Sequence, residues 1–118
     1  MLNKVNRLKK RYQFNYIYKN GTHLSTNALV LYFLPSKTKS IKVGFAVTKK
    51  IGKATVRNLV RRRLREIVRK SLPNLKQNYN IIVVARENIL NFSFDELNSQ
   101  YSYLIKKADI FENNEKIS

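Results

Sequence analysis

From Val56 to Lys70 the apolar residues Val56, Leu59, Val60, Leu64, Ile67 and Val68 return at steps of three and four, and Arg57, Asn58, Arg61, Arg62, Arg65 and Arg69 fall on the other side. That period predicts a helix docked through one apolar stripe, with a cationic stripe left to solvent. Thr55 is the expected N-cap, and Ser71, Leu72 and Pro73 the expected stop. Arg63 falls near the apolar side, where it should either run its stem along the surface with its head in water or reach a different surface.

The same reading predicts the other elements. Lys9 to Asn20 is expected to be a short helix ended by Gly21 in a left-handed conformation. Phe14 and Tyr18, with Ile17 nearby, lie on one side of it and Tyr12 and Tyr16 on the other, so one aromatic pair should be packed and the other wetter. Ala28 to Leu34 reads as an apolar strand, Pro35 to Ser40 as a polar connection, and Ile41 to Thr48 as an alternating strand with Val43, Phe45 and Val47 on one face; these two are expected to form a hairpin. Asn80 to Arg86 reads as a buried strand. Ser93 and Glu96 form a capping box ahead of a last helix whose apolar face is Phe94, Leu97, Tyr101, Leu104 and Ile105.

Helix, strands, helix, strand, helix in that order argues for an α+β fold, a mixed sheet with helices against it. At 118 residues the chain is long enough for one hydrophobic core. One domain is expected over residues 1–111, with a flexible polar tail at 112–118. There is no cysteine, so packing has to supply the stability, which fits a reducing compartment. The start, MLNKVNRLKKR, lacks an apolar block and the longest apolar run is strand-length, so the expectation is a cytoplasmic protein that does not enter a membrane.

The charges are sorted by sign along the chain. Seventeen of the 24 Lys and Arg lie at or before Arg65, and all seven acids lie at or after Glu66; the first 65 residues therefore carry the whole formal charge of +17. A single-sign field of that size attracts polyanions. The arginine stripe also forgoes the opposite-charge pairs that usually support an exposed helix face. Guanidinium groups held on a docked helix suit phosphate oxygens, because they are planar, permanently charged and rich in donors. Catalytic groups, by contrast, are scarce. His23 is the only histidine and has no carboxylate near it in sequence; Asp95 and Glu96 are adjacent and diverge on a helix; Gly21, Gly44 and Gly52 match no phosphate-loop spacing. Helix capping and solvation account for the acids better than metal binding does.

These residues resemble the protein subunit of bacterial ribonuclease P, the ribonucleoprotein that removes 5′ leaders from precursor tRNA. The resemblance rests on Thr48, Lys49, Lys50, Ile51, Gly52 and Lys53, followed by Val56, Arg57, Asn58, Leu59, Val60, Arg61, Arg62, Arg63, Leu64, Arg65 and Glu66. Upstream, Arg7, Leu8, Lys9 and Lys10 with Phe14, Gly21, Val30, Leu31 and Tyr32 fall at matching separations, as does the strand from Tyr79 to Arg86 downstream; about residues 5 to 108 are covered. Leu59 is a departure, since the family usually has a second basic residue after the Asn, which removes one RNA contact and puts more of the load on Arg61 and Arg62.

The resemblance implies an α/β sandwich of about four strands and three helices, like domain 2 of ribosomal protein S5. It also implies that the arginine helix joins two parallel strands by a left-handed crossover, where pattern alone would favour the right-handed form. It implies that Lys49, Lys50, Lys53, Arg57, Asn58, Arg61, Arg62 and Arg65 lie close to a catalytic RNA. Phe14, Tyr18 and Tyr32 would line a cleft for the single-stranded leader, where unpaired bases can stack on rings; pattern alone would place these three in the core. The implied endoribonuclease is an RNA that uses Mg²⁺, its protein subunit contributing no catalytic residue and needing neither an organic cofactor nor a protein partner. The rival readings are a structural or ribosomal RNA-binding protein, a membrane-surface protein using the cationic helix, and a helix-turn-helix DNA reader.

Overall fold

The computed structural model describes residues 6–111; the tail expected at 112–118 lies outside the described residues. Three helices, α1 (Arg11–Asn20), α2 (Ala54–Ser71) and α3 (Phe94–Ala108), pack on a mixed sheet of four strands, β1 (Thr22–Ser25), β2 (Leu29–Pro35), β3 (Lys42–Ala46) and β4 (Tyr79–Ala85). The strand order is β1-β2-β4-β3. β1 and β4 pair antiparallel with β2, and β3 pairs parallel with β4, so β3, α2 and β4 form a βαβ unit.

Alternation along the central strands explains the layers. Leu29, Leu31, Ile81, Val83 and Ala85 face one way, into a core shared with Val60, Leu64, Ile67 and Val68 of α2 and Leu97, Tyr101, Leu104 and Ile105 of α3. Val43, Phe45 and Val47 join that core, as their spacing predicts. Tyr32, Leu34, Ile82 and Val84 face the other way, where α1 lies across them and buries Ile17 with Leu8. The sheet thus separates α1 from α2 and α3.

Three expectations are corrected. β2 and β3 do not form a hairpin, because β4 lies between them and pairs with both; buried on both faces, it is the natural centre of the sheet. The hairpin partner of β2 is β1, only four residues long and largely exposed, and so without a hydrophobic alternation to announce it. Gly21 is extended (φ −85°), not left-handed. Its lack of a side chain matters for close approach instead: a Cβ there would stand 2.7 Å from the Ile17 carbonyl oxygen and 2.8 Å from that of Phe33. Thr55 lies inside α2, whose N-cap is Lys53 with no side-chain hydrogen bond.

The remaining boundaries follow their signals. α2 ends at Ser71 and passes into a short 3-10 turn containing Pro73. At the start of α3 the Ser93 hydroxyl accepts from the Glu96 amide at 3.1 Å and the Glu96 carboxylate accepts from the Ser93 amide at 2.7 Å. Gln100 ties α3 to the β1–β2 turn by accepting from Thr26 Oγ1 at 2.6 Å and from the Ala28 amide at 2.9 Å.

Candidate RNA interface

A row of rings crosses the α1 side of the sheet. Phe14 and Tyr18 project from α1 with centroids 6.5 Å apart, and Tyr18 meets Tyr32 of β2 edge-on at 4.8 Å. Phe14 sits directly on the backbone of β3: a Cβ on Gly44 would lie 2.5 Å from Phe14 Cζ. Ile17, Leu8 and Ile82 fill the core beneath, so the three aromatics are neither core nor fully exposed; Phe14 and Tyr32 are half-buried and Tyr18 is 37% exposed. Partial burial, with the neighbouring Tyr32 phenol a secondary cause, raises the Tyr18 phenol above its ordinary pKa and favours its neutral form. On the opposite side of α1, Tyr12 and Tyr16 are 68% and 62% exposed, so the wetter pair is the outer one.

His23 adds a fourth ring. It faces Tyr32 across the β1–β2 ladder, with centroids 5.2 Å apart and planes at 32°. Neither this contact nor the seat of Phe14 on Gly44 left a signal in the sequence, because both depend on strand pairing and on a helix crossing a sheet.

The basic motif begins where β3 ends. A 3-10 turn, Lys49–Ile51, buries Ile51 and leads to Gly52, whose φ of 155° favours glycine. Arg57 Nη1 donates to the Gly52 carbonyl at 2.9 Å and fastens this loop to α2. Arg61 donates to Asn58 Oδ1 at 3.1 Å and to the Val47 carbonyl at 3.5 Å. Lys50 pairs with Glu87 at 3.7 Å, and Arg69 with Glu66 at 2.8 Å, which pulls the Glu66 carboxyl below its ordinary pKa. Lys49, Lys53, Arg62 and Arg65 have no ionic or hydrogen-bonded side-chain partner among the described residues. Arg57 and Arg61 therefore hold the motif in shape, while those four present charge.

The N-terminus of α2 adds to this field: its first turn has no acid and its cap residue is a lysine, so the positive end of the helix dipole stands among cations. Arg63 and Leu59 are half-buried at the border of the apolar stripe, as the wheel predicts. Among the described residues no three His, Cys, Asp or Glu side chains converge to hold a metal ion. No helix there is long and apolar enough to cross a membrane.

A family model described as Ribonuclease P matches residues 2–109. The ribonuclease P protein component of Caldanaerobacter subterraneus subsp. tengcongensis is 36% identical over 116 residues, which span 98% of this chain and all of that one. The structure of the Staphylococcus aureus RNase P protein superposes with a TM-score of 0.85 at 28% identity, covering 92% of this chain and 99% of the other. The RNase P protein from Thermotoga maritima superposes with a TM-score of 0.77 at 30% identity, over 86% and 96%. With a half-exposed row of rings on one face of its sheet and a braced arginine helix on the other, this chain belongs to the ribonuclease P protein family.

Proposed function

We propose that this protein works within ribonuclease P by binding the catalytic RNA through its basic motif and holding the 5′ leader of precursor tRNA in the aromatic cleft. The observation that carries the reading is the joint use of β3: Phe14 rests on Gly44 of that strand, and Arg61 donates to the Val47 carbonyl just beyond its end. One rigid strand thus relates the two surfaces. Lys49, Lys50, Lys53, Arg57, Asn58, Arg61, Arg62 and Arg65 face the RNA subunit; Phe14, Tyr18 and Tyr32 offer ring faces to unpaired bases.

Positioning is the contribution of this chain. Its cations screen repulsion between substrate and RNA phosphates, and its cleft fixes the direction in which the leader departs. The cut and the Mg²⁺ that assists it belong to the RNA, and the work is cytoplasmic, without a further protein partner. A ribosomal or structural RNA-binding protein would need the charge but gives no reason for the half-exposed rings.

The test is cleavage of a 5′-extended precursor tRNA by a bacterial ribonuclease P RNA at low Mg²⁺, with and without this protein. Strong stimulation, and no cleavage by the protein by itself, is expected; tight RNA binding without stimulation would leave only a general RNA-binding protein. Replacing both Arg62 and Arg65 by Ala should weaken RNA-subunit binding and make its dependence on log salt shallower by about 2, one unit for each phosphate that no longer meets a guanidinium. An unchanged slope removes the two arginines from the interface.

A further inference from the structure

The row of rings has a direction. Phe14 lies on β3 at one edge of the sheet, Tyr18 and Tyr32 meet over β2, and His23 stands on β1 at the opposite edge. The basic loop and Arg61 adjoin the end of β3, so this part of the motif assigned to the RNA subunit lies at the sheet edge that also carries Phe14, although on the opposite face. β1 is three strands away, roughly 14 Å across the sheet. A strand that starts beside the catalytic RNA therefore meets Phe14 first and β1 last.

We propose that His23 is the outermost contact of the leader, the place where an unpaired strand leaves the protein with a base stacked on the imidazole. This inference rests on reading the cleft as the leader site. Four features of the structure support it. His23 is exposed, on a strand whose far side ends the sheet. Its plane is tilted only 32° from that of Tyr32, so the two rings form a stepped floor and not an edge contact. The β1–β2 hairpin that carries both contains no acid to repel phosphate, as no acid precedes Glu66 anywhere in the chain. Ser25, two residues along the same face of β1, places a hydroxyl beside the exit.

Stacking tolerates any base, so the signature of His23 is a length dependence more than a sequence preference. The experiment uses the holoenzyme assembled with this protein and a series of precursor tRNAs whose leaders grow by single nucleotides. Affinity should rise with leader length and then level off once the last ring is occupied. In the His23→Ala holoenzyme that plateau should arrive about one nucleotide earlier, and longer leaders should bind about tenfold more weakly, with the shortest leaders unaffected. His23→Phe, which keeps a ring but loses both nitrogens, should restore the wild-type plateau.

Each alternative has its own outcome. Equal weakening at every leader length would mean that His23 only props Tyr32, and would overturn the proposal; so would failure of His23→Phe to restore the plateau. An unmoved plateau in His23→Ala, with Phe14→Ala still lowering affinity for leaders, would remove His23 and leave the cleft intact. If Phe14→Ala also left the leader dependence unchanged, the cleft reading and the inference would fall together.

Discussion

Gly44 shows how much of one ring's seat can hang on one missing methyl group. Phe14 can lie against β3 only because nothing projects from that backbone position; an alanine Cβ would fall 2.5 Å from its Cζ and 3.0 Å from Leu8 Cδ1. Gly44→Ala should therefore lift the ring from its seat, costing about 1–3 kcal/mol in stability and raising KM for leader-bearing precursor tRNA. RNA-subunit affinity, measured by titration without substrate, should stay at the wild-type value; if it fell in step with KM, a general loss of fold would be the simpler account. Arg57 is a second case where identity matters more than charge. Its guanidinium is spent in part on the Gly52 carbonyl, so a lysine there would keep the charge and loosen the loop. The arginine stripe itself was legible because it depends only on the helical period. The roles of Gly44, His23 and Arg57 were not, since each is defined by a partner that the fold brings from another element or from across a turn.

Among the elements, α2 and α3 were legible almost to their ends, because a 3.6-residue apolar period, a capping box and a proline stop are all local signals. The pairing of strands was not: the short polar connection read at Pro35 to Ser40 favoured a hairpin, and only the doubly buried β4 shows why a later strand takes the place between β2 and β3. The two long helices are also tied together through polar groups. Tyr101 of α3 is buried against α2, and its hydroxyl lies 2.8 Å from Ser71 Oγ. Burial raises this phenol well above its ordinary pKa, and the Ser71 hydrogen bond opposes the shift only in part. The folded protein consequently keeps a proton that the unfolded chain releases near pH 10, and stability should fall by about 1.4 kcal/mol per pH unit above that point and not below it. Tyr101→Phe should be less stable than wild type at pH 8, by about 1 kcal/mol for the missing hydrogen bond. Its deficit should shrink as denaturant midpoints are followed to pH 11; a constant deficit would mean that Tyr101 ionises normally in the fold.

At the scale of the whole molecule, salt should act in opposite directions on two properties. A formal charge of +17 repels itself in the compact state, and ion pairs such as Lys76–Asp109 at 3.6 Å and Lys50–Glu87 at 3.7 Å sit at the surface, where they offset little of it. Raising KCl from about 0.05 to 0.5 M shortens the screening length from more than 10 Å to a few Å. The Tm of the free protein should rise by several degrees while its affinity for RNA falls; a Tm that dropped with salt would show that attractive pairs outweigh the repulsion. The sheet order has a last consequence, for how the chain is made. Among the described residues β3 pairs with no other strand until β4 is present, beyond the bridge from Val43 to Arg7, and β2 has only the short β1 beside it. A growing chain must therefore pass residue 85 before its middle strand can close, and in that one event the α2 stripe gains its sheet and the rings gain the floor at Ile82. Until then the emerging polypeptide carries every unit of its net charge on a segment with no sheet to display it, a polycation drawn to any polyanion it meets, and folding is what turns that general attraction into one geometry.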